Sequence, residues 1–290
     1  MMRSLFAAIS GLRAHQTMLD VTANDIANVN TVGFKGSRTS FKDALSQTQA
    51  GASAPSPTLG GTNAQQIGLG VQTGAISNMT GSGAIQSTGN PLDLAVQGTG
   101  WFRVAGIATP AGGGNPAAFG TVQYTRAGNF TTDASGNLVT QDGSFVLGHV
   151  ATAQGPPPVF AATDSQITVP ATATALSIGQ DGIVSYINPS SGSQVVLSQI
   201  TLAKFPNEQG LQRVAGTKFV VSPNSGAPTV GVPGDTNGLG TLAAGSLEMS
   251  NVDLAAEFTN MIEAQRGFQA NGRVISTADQ MLQDLVNLGR

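Results

Sequence analysis

Cysteine is absent from this 290-residue chain, histidine occurs twice, tryptophan once, and charged residues make up only 10%. The missing thiols exclude disulfides, thiolate nucleophiles and Cys-ligated metals. His15 and His149 are far apart, and no motif surrounds either. The pattern therefore suggests neither a hydrolase triad nor a zinc site. Lys and Arg number 13 against 16 Asp and Glu, giving a net charge of -3 without any basic cluster. A nucleic-acid footprint is missing. No stretch approaches the ~20 apolar residues of a membrane span, so no membrane insertion is expected. The apolar opening from Met1 to Arg13 is broken by Ser10 and Gly11 and lacks a clear cleavage site, which argues against a classical secretion signal.

Phosphate loops and metal loops are equally thin. Gly68-Leu69-Gly70 has no third glycine at dinucleotide-binding spacing, and no Gly-Lys-Ser/Thr occurs. The run from Asp133 to Asn137 lacks the acidic series and final Glu of a calcium loop. Acidic residues fall in turns or near the termini, so the paired carboxylates of a glycosidase are not evident. No cofactor, metal or catalytic residue is predicted, and the chain reads as something other than an enzyme. What it has in quantity is glycine, 38 residues, on a chain poor in charge. Weak surface repulsion can favour packing against copies of itself.

The two ends differ from everything between them. From Ser4 to about Asn28 there is no proline, and Leu5, Leu12, Leu19 and Ile26 recur every seven residues, with Ile9, Gln16 and Ala23 interleaved. This spacing predicts a helix with a narrow apolar stripe. Near the other end, Ser250 with Asp253 three residues on reads as a capping box. Beyond it Met261, Phe268, Ile275 and Leu282 recur every seven residues, with Ala264, Asn271, Ala278 and Leu285 between them. Gly267 and Gly272 weaken this helix by up to ~1 kcal/mol each. Its stability must come from packing. No other long amphipathic helix exists, so the termini are expected to pair. They form either an inner layer completed by neighbouring subunits or a hairpin capping a globular domain.

Three regions follow. Residues 1–42 with 250–290 form a terminal helical domain, 43–84 an extended connecting stretch, and 85–249 a β-rich domain. Gln47 to Gly61 is rich in Ala, Ser, Pro and Gly and cannot bury much. In the middle, Leu92–Val96, Gly100–Val104, Val122–Phe130, Leu138–Thr140, Phe145–Leu147, Leu176–Ile178, Ile183–Tyr186, Val195–Leu197 and Ile200–Phe205 read as short strands. Turns such as Gln141-Asp142-Gly143-Ser144 and Gly179-Gln180-Asp181-Gly182 separate them. The fold class is α+β: an irregular antiparallel β domain with paired N- and C-terminal α-helices forming a coiled-coil-like layer.

The segment from Asn24 to Lys35 (Asn-Asp-Ile-Ala-Asn-Val-Asn-Thr-Val-Gly-Phe-Lys) closely resembles the N-terminal signature of the flagellar rod and hook proteins. Asn28 and Asn30 tolerate turn conformations, Gly33 permits φ > 0, and Phe34 can dock after the reversal. That family usually carries Asn where this chain has Asp25. Leu247–Leu254, Phe258–Ile262, Gln265–Gln269 and Ser276–Leu282 resemble its C-terminal signature. Pro91–Val96, Gly100–Phe102 and Tyr124–Phe130 match between them. Asn24, Asn28, Thr31, Gly33, Phe34, Lys35 and Asn251 are the motif positions. Gly60 to Gly70 and Arg3-Ser4-Leu5 are similar to the short hook proteins of Gram-positive bacteria, with the distal rod protein as the alternative.

The resemblance implies a secreted structural subunit of the bacterial flagellum that polymerises into a tube. On the hook reading, that tube is a curved universal joint transmitting torque for motility. The inner helical layer would be held by Leu5, Ile9, Leu12, Leu19, Ile26, Met261, Phe268, Ile275, Leu282 and Leu285. Implied partners are copies of itself, the distal rod protein, the hook cap, the hook–filament junction protein and the flagellar type III export apparatus. The implied location is the extracellular hook or the basal body.

Overall fold

Both ends form long helices, α1 over Met2–Ala27 and α2 over Leu254–Leu288. The structure is a computed structural model that describes residues 2–57, 60–109, 118–153, 155, 158–161, 163–189 and 192–288. Thr58 and Leu59 of the expected connecting stretch, and Gly289 and Arg290 of the expected C-terminal range, lie outside them. The chain divides into two units. One comprises Met1–Ala27, Ser37–Asn78 and Asp253–Arg290; the other comprises Asn28–Gly36 and Met79–Val252.

In the first unit α1 and α2 pack side by side. A Cβ on Gly11 would come 2.7 Å from Asn271 Nδ2, and one on Gly267 would come 2.5 Å from the His15 ring. Moving four residues up α1 moves four residues down α2, so the pair is antiparallel. Small groups are among the buried residues of both helices: Ala8, Ala14 and Thr22 on α1, and Ala264 and Ala278 on α2. His15 is half-buried, because Gly267 leaves room for its ring. It meets Phe41 edge-on at 5.9 Å.

The two α2 glycines are therefore not equivalent. Gly272 has open space where a Cβ would sit, whereas Gly267 has the imidazole. Gly272→Ala should stabilise α2 by about 1 kcal/mol through helix propensity. Gly267→Ala should lose that gain by displacing His15. Melting curves followed by circular dichroism would separate them; equal stabilisation by both would refute the close approach.

The helix start also differs from the expected capping box. Asp253, not Ser250, is the cap. Its Oδ1 accepts hydrogen bonds from the backbone N–H of Ala255 (2.9 Å) and Ala256 (3.4 Å). Ser250 Oγ instead accepts from Val252 N–H, 3.3 Å away and outside the helix. An aspartate on the first free N–H groups satisfies orphan donors and opposes the positive end of the helix dipole.

Between the helices in sequence, the same unit holds a two-stranded antiparallel ribbon. β1 (Ser37–Asp43) pairs with β4 (Val71–Asn78), and β2 (Ser46–Ala50) pairs with β3 (Gln65–Gly68). Ser53 bridges Thr62 further out. β1 and β4 lie along α1, where Val71 N–H donates to Ser10 Oγ at 3.2 Å. β2 and β3 are exposed along both faces. An isolated two-stranded ribbon is marginal in water.

The second unit is built on an antiparallel sheet. Its strands run in the order Thr174–Ile178, Ile183–Ile187, Gln194–Ile200, Phe145–Ala153, Trp101–Ala105, Gln123–Thr125, Lys218–Val220 and Gln212–Arg213. Alternation along Trp101–Ala105 serves two cores. Phe102 and Val104 enter a cluster with Leu94, Phe130, Val146 and Ile200, while Trp101 enters a second with Tyr124, Phe205 and Phe219. Every residue of that strand is buried. Its central place follows, because only a strand covered on both faces gains by carrying large residues at successive positions. The expected turns form as well: Gly143 and Gly182 both take φ of 78°.

Candidate assembly surfaces

Three of the family-like motifs each send one residue, Lys35, Arg126 and Glu248, into a buried ion cluster of the second unit. After α1 the chain reverses. Thr31 N–H donates to Asn28 O, Thr31 Oγ donates to Asn28 Oδ1 at 3.1 Å, and Gly33 takes φ of 65°. This delivers Phe34 and Lys35 into the protein, where both are buried. Lys35 Nζ donates to Glu248 Oε1 at 2.5 Å and to Gly81 O at 2.8 Å. Arg126 Nη1 donates to Glu248 Oε2 at 3.1 Å, and its Nη2 donates to Gly98 O at 2.9 Å. Gly83 N–H adds a further bond to Glu248 Oε1 at 2.9 Å. The side chains of Lys35 and Glu248 are fully withdrawn from solvent.

Burial pushes the Lys35 ammonium below the usual lysine range, and the touching Glu248 carboxylate pulls it partway back. Two cations and one carboxylate in a dry site hold each other only while all three are present.

Asn251 closes the cluster from the other side. Its Oδ1 accepts from Gly36 N–H at 2.9 Å, and its Nδ2 donates to Met79 O at 2.7 Å. One amide thus bridges the segment following α1 and the one following the ribbon. Arg213 donates to Lys35 O and lies over the Phe34 ring, 4.7 Å from its centre. Glu248 and Arg126 stood inside motifs the sequence brought forward, but nothing there marked them as partners. Arg213 carried no signal at all. Asn24, the remaining motif position, is exposed on the last turn of α1.

The residues predicted for the inner helical layer take two kinds of position. Leu5, Leu12, Leu19, Ile26, Met261, Ile275 and Leu282 are half-buried, whereas Ile9, Phe268 and Leu285 are exposed. Phe6, Leu254, Phe258 and Ile262 are exposed as well. Exposed apolar surface of this kind is characteristic of interaction surfaces.

His149 Nε2 lies 3.8 Å from Asp164, whose carboxylate is already held by Arg103 through two bonds of 2.6 and 2.5 Å. Burial holds the His149 pKa below its ordinary value, with Asp164 opposing and Arg103 reinforcing the shift. Among the described residues no three His, Cys, Asp or Glu side chains group as metal ligands, and no helix is long and apolar enough to cross a membrane.

Residues 5–35 match the family described as flagella basal body rod protein, residues 95–186 the flagellar hook protein FlgE/F/G D1 domain, and residues 243–288 the flagellar basal body rod FlgEFG protein C-terminal region. The chain is 47% identical to the flagellar basal-body rod protein FlgG of Bacillus subtilis, over the whole of both chains. The chain belongs to the flagellar rod and hook protein family. It is also 39% identical to the FlgG rod protein of Agrobacterium fabrum over 97% of each chain. Against the flagellar hook protein FlgE of Borreliella burgdorferi it is 30% identical, across 99% of this chain and all of the hook protein, in an alignment stretched to 441 positions. These relatives are structural parts of the flagellum. The family's three matched regions include the motifs that converge on the ion cluster, since Lys35, Arg126 and Glu248 each fall in a different one.

Proposed function

We propose that this chain is the subunit of the distal rod of the flagellar basal body, polymerising with copies of itself into the part of the axial tube below the hook. The observation that carries this is the end-to-end match to rod proteins without an inserted domain, against a hook relative that aligns only across 441 positions. The hook reading, drawn from Gly60 to Gly70 and the opening Arg3-Ser4-Leu5, gives way to its alternative. Those short stretches weigh less than a likeness spread over all 290 residues. Polymerisation is supported by the bare apolar sides of α1 and α2, by the uncovered ribbon of β2 and β3, and by the scarcity of charge. Each is a surface that gains by burial against another copy.

On this reading the paired helices line the channel, the β unit forms the wall, and the ribbon reaches neighbouring subunits. The chain leaves the cell through the flagellar type III export apparatus and works on its outer side. The hook protein stacks above the rod. The hook cap and the hook–filament junction protein, expected partners of a hook subunit, then act beyond its reach. Deleting the gene and imaging isolated basal bodies tests the assignment. Truncated rods, restored by the cloned chain, are expected; complete rods lacking only the hook would return the hook reading.

A further inference from the structure

We infer that the free end of α2 in one copy seats in the groove between α1 and β4 of the next copy, in a head-to-tail contact that repeats along the polymer. This rests on the reading of the chain as a self-assembling subunit and names one of its contacts. The register of the helix pair exposes the first half of that contact. Gly11 faces Asn271 and His15 faces Gly267, so both pairs of numbers add to 282. By that rule Met2 stands level with Gln280, and α2 beyond it has no α1 alongside. Met281, Leu285, Val286 and Leu288 are each at least half exposed there.

The second half is a groove of about 350 Å³ on the first unit, with Phe6, Ile9, Arg13, Val71 and Thr73 among its walls. Phe6 is 63% exposed in it. The two surfaces are complementary in charge as well as apolar. The last turns of α2 carry Asp284 and no basic residue in the final turn, and the free carbonyls of a helix C-terminus are themselves negative. The groove offers Arg13, which is exposed. An acidic helix end on an apolar groove with a cationic rim fixes orientation as well as contact.

One copy cannot satisfy both halves by itself. The groove centre, near Ser10, is level with Gly272, and Leu285 is 13 residues further along α2. At 1.5 Å per residue the two surfaces are about 20 Å apart on the helix axis. A second copy displaced by about that distance brings its helix end to the groove and leaves its own groove open. Such heterologous contacts extend without closing on themselves.

The absence of cysteine makes the test clean. Ile9→Cys and Val286→Cys proteins are prepared separately, mixed, assembled and oxidised. A disulfide needs Cα atoms within about 7 Å, so the bridge can form only between copies. The mixture is expected to give at least tenfold more covalent dimer than an Ile9→Cys and Leu254→Cys mixture. Tubes with equal yields from both mixtures would overturn this contact while leaving the rod assignment intact. Failure of the wild-type chain to form any tube, in cells or in solution, would overturn both. Trapping of a chain of different mass by Val286→Cys in cells would also overturn the contact. A second route avoids cysteine: Arg13→Glu and Asp284→Arg should each raise the critical concentration several-fold, and the double variant should recover it. No recovery in the double variant would count against the pairing.

Discussion

Glu248→Ala is expected to remove about 3–5 kcal/mol from the stability of the β unit, the cost of leaving buried cations without their counter-charge. Folded domains hold only about 5–15 kcal/mol in all, so most of the variant should be unfolded under mildly denaturing conditions. Glu248 Oε1 and Oε2 are shared between Lys35 and Arg126, and Gly83 N–H takes part of the remaining acceptor capacity. All three side chains are sealed from water, at 0–2% exposure. Truncation therefore strands the Lys35 ammonium and the Arg126 guanidinium where no solvent can reach them.

Urea unfolding followed by the fluorescence of the single tryptophan gives the readout, because Trp101 is fully buried and Arg126 sits 5.5 Å above its ring. A change below about 1 kcal/mol would mean that the cluster is not a closed electrostatic unit. Lys35→Met placed on a Glu248→Gln background should cost less than the two changes measured separately, since partners in one network do not act additively.

Gly33→Ala should be nearly as damaging, by a different route. At φ of 65° an L side chain costs about 1–2 kcal/mol by itself. The added Cβ would also sit 2.3 Å from Ala127 N and 2.6 Å from the Arg126 carbonyl carbon. Both are backbone atoms, so no side chain can rotate out of the way. Moving that backbone would also move Arg126 off Glu248. Overpacking of this kind adds about 1–3 kcal/mol, for a total of about 2–5 kcal/mol. Gly89 supplies the control: its φ is 73° but nothing lies within 4 Å of its missing Cβ. Gly89→Ala should show the conformational strain alone. If Gly33→Ala unfolds at the same urea concentration as Gly89→Ala, the steric part of the argument fails.

Much of the architecture was legible because it depends on local periodicity. Leu5, Leu12, Leu19 and Ile26 at sevenfold spacing announced α1, and the matching series from Met261 announced α2. With no third amphipathic helix available, the pairing of the two followed by elimination. Alternation and Asp-Gly turns announced the hairpin of Thr174–Ile178 with Ile183–Ile187 and placed its tip at Gly182.

Where the reading missed, the deciding quantity was a distance between residues remote in sequence. The apolar spacing gave no sign of two close approaches in the helix pair, Gly11 on Asn271 and Gly267 on His15. A glycine counts against a helix when propensity alone is considered, but counts for it when another helix must come near. Only Gln47–Ala50 of the stretch from Gln47 to Gly61 joins a ladder, β2 with β3, and that ladder uses backbone groups, which any composition supplies.

The sequence by itself determined two terminal helices, their partnership, a β-rich middle, and membership of a family of flagellar axial proteins. Only the tertiary structure decided that Lys35, Arg126 and Glu248 form one sealed ion cluster, and that α2 runs on past its partner beside an open groove. The reason is physical. An apolar stripe repeats along the chain and can be counted, whereas a lysine destined for burial has the same letter as one in water. Its cost and its compensation arise only when the fold carries a carboxylate from more than two hundred residues away to within 2.5 Å of it.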